Sequence, residues 1–198
     1  MKQGDEMDSF IEKLQGVIGE VTSTDTIEIT DIPNIDLYMD QVTTFMEESL
    51  KSYKRYTDDK VLTKTMINNY AKAKLFPSPI KKKYTRNHLM LLVIIYHLKS
   101  ILSINDIKRL LAPVTSTIKG SERCEPLETV YRYFTALQKF NKDNILINVE
   151  VQKKFFERED IASLKNKEEV VLILTVLLVA IQANTEKRIA EKILDKYF

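Results

Sequence analysis

A chain of 198 residues, 44% of them apolar, is long enough to bury a core, either as one domain or as a small domain with an extension. Its glycines lie at positions 4, 16, 19 and 120, so residues 20–119 cannot form a glycine-rich phosphate loop, which excludes P-loop and Rossmann nucleotide enzymes. The single cysteine, Cys124, can supply neither an internal disulfide nor a multi-thiolate metal site, and it indicates a reducing, intracellular setting.

Charge is distributed unevenly along the chain. The net charge is only +2, yet residues 1–50 carry 2 basic and 12 acidic side chains, whereas residues 51–86 carry 11 basic and 2 acidic ones. A cluster of one sign is typical of a surface that binds a polyanion, because ordinary soluble surfaces mix the two signs. Residues 51–86 are therefore the first candidate for a nucleic-acid contact.

Residues 1–30 are predicted to form an acidic arm that is loosely attached to the rest of the chain. The arm begins with a short helix whose apolar side includes Phe10, Ile11 and Leu14. It lacks the basic region and apolar core of a secretory signal, so the chain is expected to be cytoplasmic.

A longer helix is predicted from near Asp36 to about Tyr53, and Pro33 limits how far it can extend backwards. Its polar side is acidic, so this side either faces away from DNA or covers the basic surface. Its apolar stripe consists of Tyr38, Met39, Val42, Phe45, Met46, Leu50 and Tyr53.

The helix predicted from Leu62 to Ala73 carries a polar face without any acidic residue. Amide, hydroxyl and cationic side chains can hydrogen-bond to base edges and phosphates, and Thr63 is placed to cap the start of the helix. An ordinary amphipathic surface helix would show the same pattern, since most polar faces are merely solvated. The polar residues are Lys64, Thr65, Asn68, Asn69 and Lys72.

A Pro-rich basic turn, Phe76–Tyr84, separates this helix from two more. The helix predicted from Thr85 to Ser100 is apolar almost all round, so we expect it to be buried on several sides. Ser103 is placed to cap the next helix, which runs to Leu111, and Pro113 is expected to stop it.

Residues 114–125 are predicted to be a linker loop and residues 126–198 a C-terminal helical region. Part of that region, residues 141–165, alternates like a strand at Ile145, Ile147, Val149 and Val151, but helix is favoured because no second strand is available for pairing. The apolar run Val170–Ala183 is shorter than the roughly 20 residues that span a bilayer, so a buried helix without membrane contact is expected. Dimerisation through this region and intramolecular three-helix packing would both satisfy its apolar residues.

The stretch Leu62–Leu111 resembles the DNA-binding region of MerR-type regulators over about 50 residues. Together with Ile32–Val42, it resembles more closely a bacterial family catalogued only as a domain of unknown function. The matching parts are Leu62–Tyr70 as the recognition helix, Leu75-Phe76-Pro77 after it, Lys83-Tyr84-Thr85 at the wing exit and Leu102–Leu111 as the following helix.

The resemblance implies a mainly α-helical protein with a MerR-like winged helix-turn-helix in residues 31–113. Such a protein would bind double-stranded DNA as a homodimer, with the recognition helix in the major groove and the wing on the backbone. The wing is short here, about Ser78 to Lys83. The expected DNA contacts are Thr63, Lys64, Thr65, Asn68, Asn69 and Lys72 from the helix, and Lys81, Lys82, Lys83, Tyr84 and Arg86 from the wing and its exit.

The chain departs from the MerR pattern at several positions. Asn68 and Asn69 stand where the pattern has Arg and Tyr. Lys74 and Ile101 replace glycines, so we expect these two turns to differ, and Lys83 replaces the usual Arg before the wing tyrosine.

The function expected from the sequence is that of a sequence-specific DNA-binding transcription regulator. The alternative is a non-catalytic protein-interaction module whose basic segment docks onto the acidic arm or onto an acidic partner. No catalytic constellation is visible, and neither a cofactor nor a metal is expected. His88 and His97 would point to opposite sides of one helix, so they cannot share a metal ion.

Overall fold

The computed structural model describes residues 3–120, 122–156 and 158–198, and it describes their side chains except at residues 3–10, 146–156, 162, 167 and 168. The described chain is mainly helical, with a two-stranded antiparallel sheet. It divides into two compact units whose segments interleave in the sequence. The larger unit comprises Asp25–Ala136 and Ile189–Phe198, and the smaller unit comprises Met1–Thr24 and Leu137–Arg188.

The helices follow the predicted order. The strands are β1 (Leu37–Tyr38) and β2 (Lys83–Tyr84), and a 3₁₀ turn covers Lys51–Tyr53. The helices are α1 (Gln3–Thr22), α2 (Met39–Leu50), α3 (Lys64–Lys72), α4 (Arg86–Leu98), α5 (Ile104–Thr115), α6 (Glu125–Phe156), α7 (Glu159–Ala162) and α8 (Lys167–Tyr197). The backbone is helical where the sequence alternates around Ile147, which confirms the preference for helix over strand in that segment. The side chains of Ile147 and Phe10 lie outside the described ones.

The core of the larger unit is built around α4. Every residue of α4 from Asn87 to Ile95 is buried, which confirms the expectation from its all-round apolar sequence. Helix α2 contributes Val42 and Met46, and α3 contributes Ile67. Burial of about ten large side chains of this kind supplies most of the stability of a domain of this size.

The expectation of a loosely attached arm is wrong for residues 25–30, next to the predicted domain. Ile27 and Ile32 are buried in the core, and the Tyr131 hydroxyl donates a hydrogen bond of 2.9 Å to the carbonyl of Ile27. The guanidinium of Arg86 donates to the carbonyls of Ile29 and Ile32. These partners are distant in sequence, so local charge and periodicity could not indicate them.

Pro113 does not stop α5, which continues to Thr115. A proline near the end of a helix removes only its own N–H donor, and the amide of Ser116 still donates to the carbonyl of Ala112 at 3.0 Å. The predicted cap at the other end is confirmed, because the Ser103 hydroxyl accepts from the Asp106 amide at 3.1 Å.

In the smaller unit, α8 is far more exposed than expected. Val171 and Thr175 are buried, but Leu172, Val176 and Leu177 are each more than half exposed. The prediction of a buried helix is therefore wrong over most of its circumference. By length and composition alone, Glu169–Tyr197 is the one stretch among the described residues that could cross a membrane, with a mean hydropathy of 1.6 in its most apolar window.

The stability of the larger unit should depend on pH through His97. Its ring meets Tyr53 and Phe134 edge-on, with centroids 4.8 Å and 5.5 Å apart, and burial lowers its pKa to about 4. Because the unfolded chain binds a proton near pH 6.5, this contribution is complete above that pH and is lost as the pH falls towards 4.

We expect the free energy of unfolding to fall by at most about 3 kcal/mol over that interval from His97 alone. His97→Phe, which keeps an aromatic ring in the cluster, should flatten the dependence measured by urea denaturation at several pH values. Identical pH profiles for the two proteins would contradict the assignment.

Candidate nucleic-acid interface

The first helix turn of α3 is capped as predicted. The Thr63 hydroxyl accepts a hydrogen bond of 3.2 Å from the amide of Met66. Ile67 and Tyr70 are buried, so the opposite face of α3 points to solvent. This exposed face carries the polar residues proposed from the sequence, namely Lys64, Thr65, Asn68, Asn69 and Lys72.

The end of α3 is a Schellman motif closed by a lysine. The amide of Lys74 donates to the carbonyl of Ala71 at 3.0 Å, and that of Leu75 donates to the carbonyl of Tyr70 at 3.1 Å. Lys74 has φ of 60°, the left-handed conformation for which glycine is the usual residue. The expectation that this turn must differ from a glycine-containing one is therefore wrong for Lys74.

The segment that enters α3 is held at both backbone polar groups of one residue, Val61. The Glu47 carboxylate accepts from the amide of Val61 at 3.4 Å, and the Lys99 ammonium donates to the carbonyl of Val61 at 2.8 Å. Glu47 also accepts from Lys54, and this hydrogen bond is the main reason that the pKa of Glu47 is lowered. The position of α3 thus depends on α2 and α4 through charged side chains.

The basic turn folds into a two-residue β-hairpin. Ile80 and Lys83 exchange backbone hydrogen bonds of 3.1 Å and 2.9 Å, and the loop residues Lys81 and Lys82 have φ of 50° and 65°. Left-handed conformations at both loop positions are those of a type I′ turn, which strongly favours Asn-Gly over side chains such as lysine. The tip of the hairpin therefore carries two positive charges on a strained backbone.

The hairpin is joined to the rest of the unit by β1. Leu37 pairs with Tyr84 and Tyr38 with Lys83 in antiparallel register, and the Lys83 ammonium lies over the Tyr38 ring at 5.3 Å. Tyr38 is 54% exposed, so the sequence-based assignment of this residue to the apolar stripe of α2 is wrong.

The hairpin and α3 both contact the segment that leads from β1 into α2. Asp40, two residues after Tyr38, forms an exposed ion pair with Lys64 at the start of α3. Two residues span at most about 7 Å of backbone, so the side chains that contact Lys83 and Lys64 come from neighbouring positions at the start of α2. We call the exposed polar face of α3 together with the hairpin the α3–hairpin surface.

Two of the proposed DNA contacts do not lie on this surface. Tyr84 is 3% exposed, because a strand turns alternate side chains to opposite faces and Lys83 takes the outer one. Arg86 is half-buried, and its guanidinium is engaged by the carbonyls of Ile29 and Ile32. Both residues are structural, and their assignment as phosphate contacts is corrected accordingly.

One imidazole holds both ends of the segment that carries the hairpin. His88 Nδ1 accepts from the amide of Thr85 at 3.0 Å, so Nε2 carries the proton and donates to the carbonyl of Pro77 at 2.9 Å. The rings of Phe76 and Tyr84 meet the imidazole edge-on, each with a centroid distance of 5.6 Å. Burial lowers the pKa of His88, which favours the neutral form that this arrangement requires.

The paired and unpaired cations of this surface can be separated. Lys54 is paired with Glu47 and Lys64 with Asp40. In the described part of the chain, no ion pair engages Lys72, Lys81 or Lys82. Within the same part, no three His, Cys, Asp or Glu side chains come close enough to hold a metal ion.

The fold and the surface define a mainly α-helical domain that presents a polar, basic helix and a basic hairpin to solvent. Residues 27–134 match the family described as "Domain of unknown function (DUF1836)", and since the match spans more than half of the chain, the chain belongs to this family. No curated protein and no solved structure matches the chain.

The left-handed lysines lead to a stability prediction. Lys74→Gly and Lys82→Gly should each raise the free energy of unfolding by about 1 kcal/mol, because glycine adopts positive φ without steric strain. Chemical denaturation of each variant measures the change.

Lys108→Gly is the matched control, since Lys108 is an exposed lysine inside α5. The same substitution should lower stability there by about 1 kcal/mol. A loss of stability in all three variants would show that positions 74 and 82 are not strained.

Proposed function

We propose that the chain is a cytoplasmic, sequence-specific DNA-binding transcription regulator with a MerR-like winged helix-turn-helix. Helices α2 and α3 would form the helix-turn-helix, and the Ile80–Lys83 hairpin with β1 would form a short wing. The observation that carries the proposal is the α3–hairpin surface, in which an acid-free polar helix face and a strained, doubly charged hairpin are both held by contacts to the start of α2.

The helix face supplies groups for reading bases. Asn68 and Asn69 are exposed near the middle of α3, and an asparagine can make two hydrogen bonds to the major-groove edge of adenine. Thr65 can contact a thymine methyl or accept a hydrogen bond. The proposed site should therefore contain an A·T pair whose replacement weakens binding by about 1–3 kcal/mol.

The hairpin supplies phosphate contacts. Lys81 and Lys82 at its tip, Lys83 in β2 and Lys72 on α3 could neutralise about four phosphates per chain. Each neutralised phosphate releases condensed counterions, so the logarithm of the binding constant should fall with the logarithm of salt concentration with a slope of about −4 per chain.

A double charge reversal tests the proposal. Lys72→Glu/Lys82→Glu should abolish binding to duplexes selected from a random library, as followed by fluorescence anisotropy at several salt concentrations. Lys108→Glu/Lys192→Glu makes the same charge change on α5 and α8, outside the α3–hairpin surface, and should retain most of the affinity. Equal binding by both double variants would remove the site assignment.

A protein-interaction module is the second candidate, and the Asp40–Lys64 ion pair favours it. This pair places the Asp40 carboxylate of α2 at the start of α3, and α2 carries two further carboxylates, Glu47 and Glu48. Carboxylates in that position repel phosphates but suit a partner that carries both signs of charge. If the chain is a protein-interaction module, it should bind the selected and the unselected duplex pools equally weakly or not at all.

Asp40→Asn measures how close the start of α3 comes to phosphates. Removing this carboxylate leaves Lys64 unpaired, so DNA affinity at low salt should rise by about 2- to 5-fold. Asp58→Asn, in the exposed loop before α3, is the matched control and should change affinity less. No increase in Asp40→Asn would place DNA away from Lys64.

A further inference from the structure

The larger unit contains a polar pocket where the loop before α6 meets the start of α4. Its volume is about 360 Å³, at the lower end of the range of about 300–1,000 Å³ for small-molecule sites. Every residue that lines it has a charged or an amide side chain, and none lies on the α3–hairpin surface. These residues are Asn34, Arg86, Asn87, Glu122, Arg123 and Glu128.

One wall of the pocket is a buried carboxylate. The side chain of Glu128 is 3% exposed, and no other aspartate, glutamate, lysine or arginine is buried in the described part of the chain. A carboxylate that is removed from water needs opposite charge and hydrogen bonds around it. Glu128 lies in the first turn of α6, where the helix N-terminus favours negative charge, and Arg123 supplies the ion pair.

Arg123 pairs with Glu128 and still has donors to offer. Its Nε donates to Oε1 and to Oε2 of Glu128 at 2.7 Å, and its Nη2 lies 2.5 Å from Oε2. Among the described residues, nothing accepts from Nη1, and the arginine side chain is 75% exposed. A guanidinium has five N–H donors, so Arg123 can hold Glu128 and bind a second anionic group at the same time.

The pocket also contains an acceptor and a second fixed cation. Asn87 is 3% exposed, and its Nδ2 donates to the carbonyl of Glu122 at 2.8 Å. In the described part of the chain nothing donates to Oδ1 of Asn87, so this oxygen can accept from the N–H of a ligand. The guanidinium of Arg86 is already fixed by the carbonyls of Ile29 and Ile32 before any ligand arrives.

The charges of the lining determine the class of ligand. Arg86 and Arg123 contribute two positive charges, and Glu122 and Glu128 contribute two negative ones. A phosphate would be repelled by the carboxylates, and a metal cation would be repelled by the guanidinium groups. An aliphatic ligand would leave the polar groups without partners. A small molecule that carries both an ammonium and a carboxylate matches both signs of charge.

We propose that this pocket binds a free α-amino acid. The carboxylate of the ligand accepts hydrogen bonds from Nη1 of Arg123. Its ammonium donates to Oδ1 of Asn87 and to the Glu128 carboxylate, while the Arg123–Glu128 pair stays in place. This binding goes beyond the proposed function, because it requires no DNA.

Isothermal titration of the full chain with each of the common L-amino acids tests this proposal. At least one should bind with a dissociation constant of about 1 mM or lower. The amide of that amino acid lacks the carboxylate, and its N-acetyl derivative lacks the ammonium. Each derivative should bind about 10-fold more weakly or worse, because it loses a charge-assisted hydrogen bond. Absence of binding by all the amino acids overturns the proposal, as does equal binding of the amino acid and both derivatives.

Two variants locate the site. Glu128→Gln keeps the size of the side chain but removes the charge that faces the ammonium. Arg123→Lys keeps a positive charge beside Glu128 but removes the Nη1 donors. Each should raise the dissociation constant of the amino acid about 10-fold. Because Arg123 is exposed, its variant tests the site even if the change at the buried Glu128 impairs folding.

Glu48→Gln and Arg132→Lys are the matched controls, since they make the same changes at exposed positions outside the pocket. Both should bind the amino acid with wild-type affinity, and circular dichroism should show equal helix content in all four variants. Wild-type affinity in Arg123→Lys and in folded Glu128→Gln would overturn the site. DNA binding is measured separately, so either proposal can fail without the other.

Discussion

The hairpin depends on the neutral imidazole of His88. This side chain contacts the start of the Phe76–Tyr84 segment through Pro77 and its end through Thr85, so both ends are fixed to α4 by one ring. Only the neutral form can accept at Nδ1 while it donates at Nε2. Because α4 is also the centre of the core, the hairpin, β1 and the start of α2 are all positioned from one buried helix. The Phe76–Tyr84 segment is thereby fixed at both ends.

Backbone strain at the hairpin tip supports the proposed role of its two lysines. Lys81 and Lys82 occupy positions where glycine or asparagine would be more stable, and Lys74 does the same at the end of α3. Glycine would satisfy the backbone but would carry no charge. A chain that keeps lysine at strained positions loses some stability while retaining positive charge, and such losses cluster at functional sites. The conformations and the charges therefore support the same proposal.

The sequence predicts local structure well where a helix cap or the pattern of apolar residues within one helix determines it. Thr63 and Ser103 cap their helices, and the all-round apolar pattern of α4 is buried. The sequence predicts poorly those contacts that join residues far apart in the chain. Arg86 binds carbonyls more than 50 residues earlier in the chain, so its charge alone made it look like a phosphate contact. Tyr84 could have been placed inside from the alternation of a strand, but a two-residue strand leaves almost no periodic signal.

The uneven charge along the sequence is only partly preserved in space. The acidic α2 neutralises Lys54 and Lys64, and Glu47 performs a structural task by holding the amide of Val61. Fewer cations than the 11 counted in residues 51–86 are therefore available to a polyanion. Among the cations that no described carboxylate neutralises, Lys72 lies on α3, and Lys81 and Lys82 lie at the hairpin tip. Since the strength of a polyanion contact follows the number of phosphates neutralised, the acidic helix would limit nonspecific affinity in the proposed DNA complex and would leave more of the discrimination to the asparagines of α3.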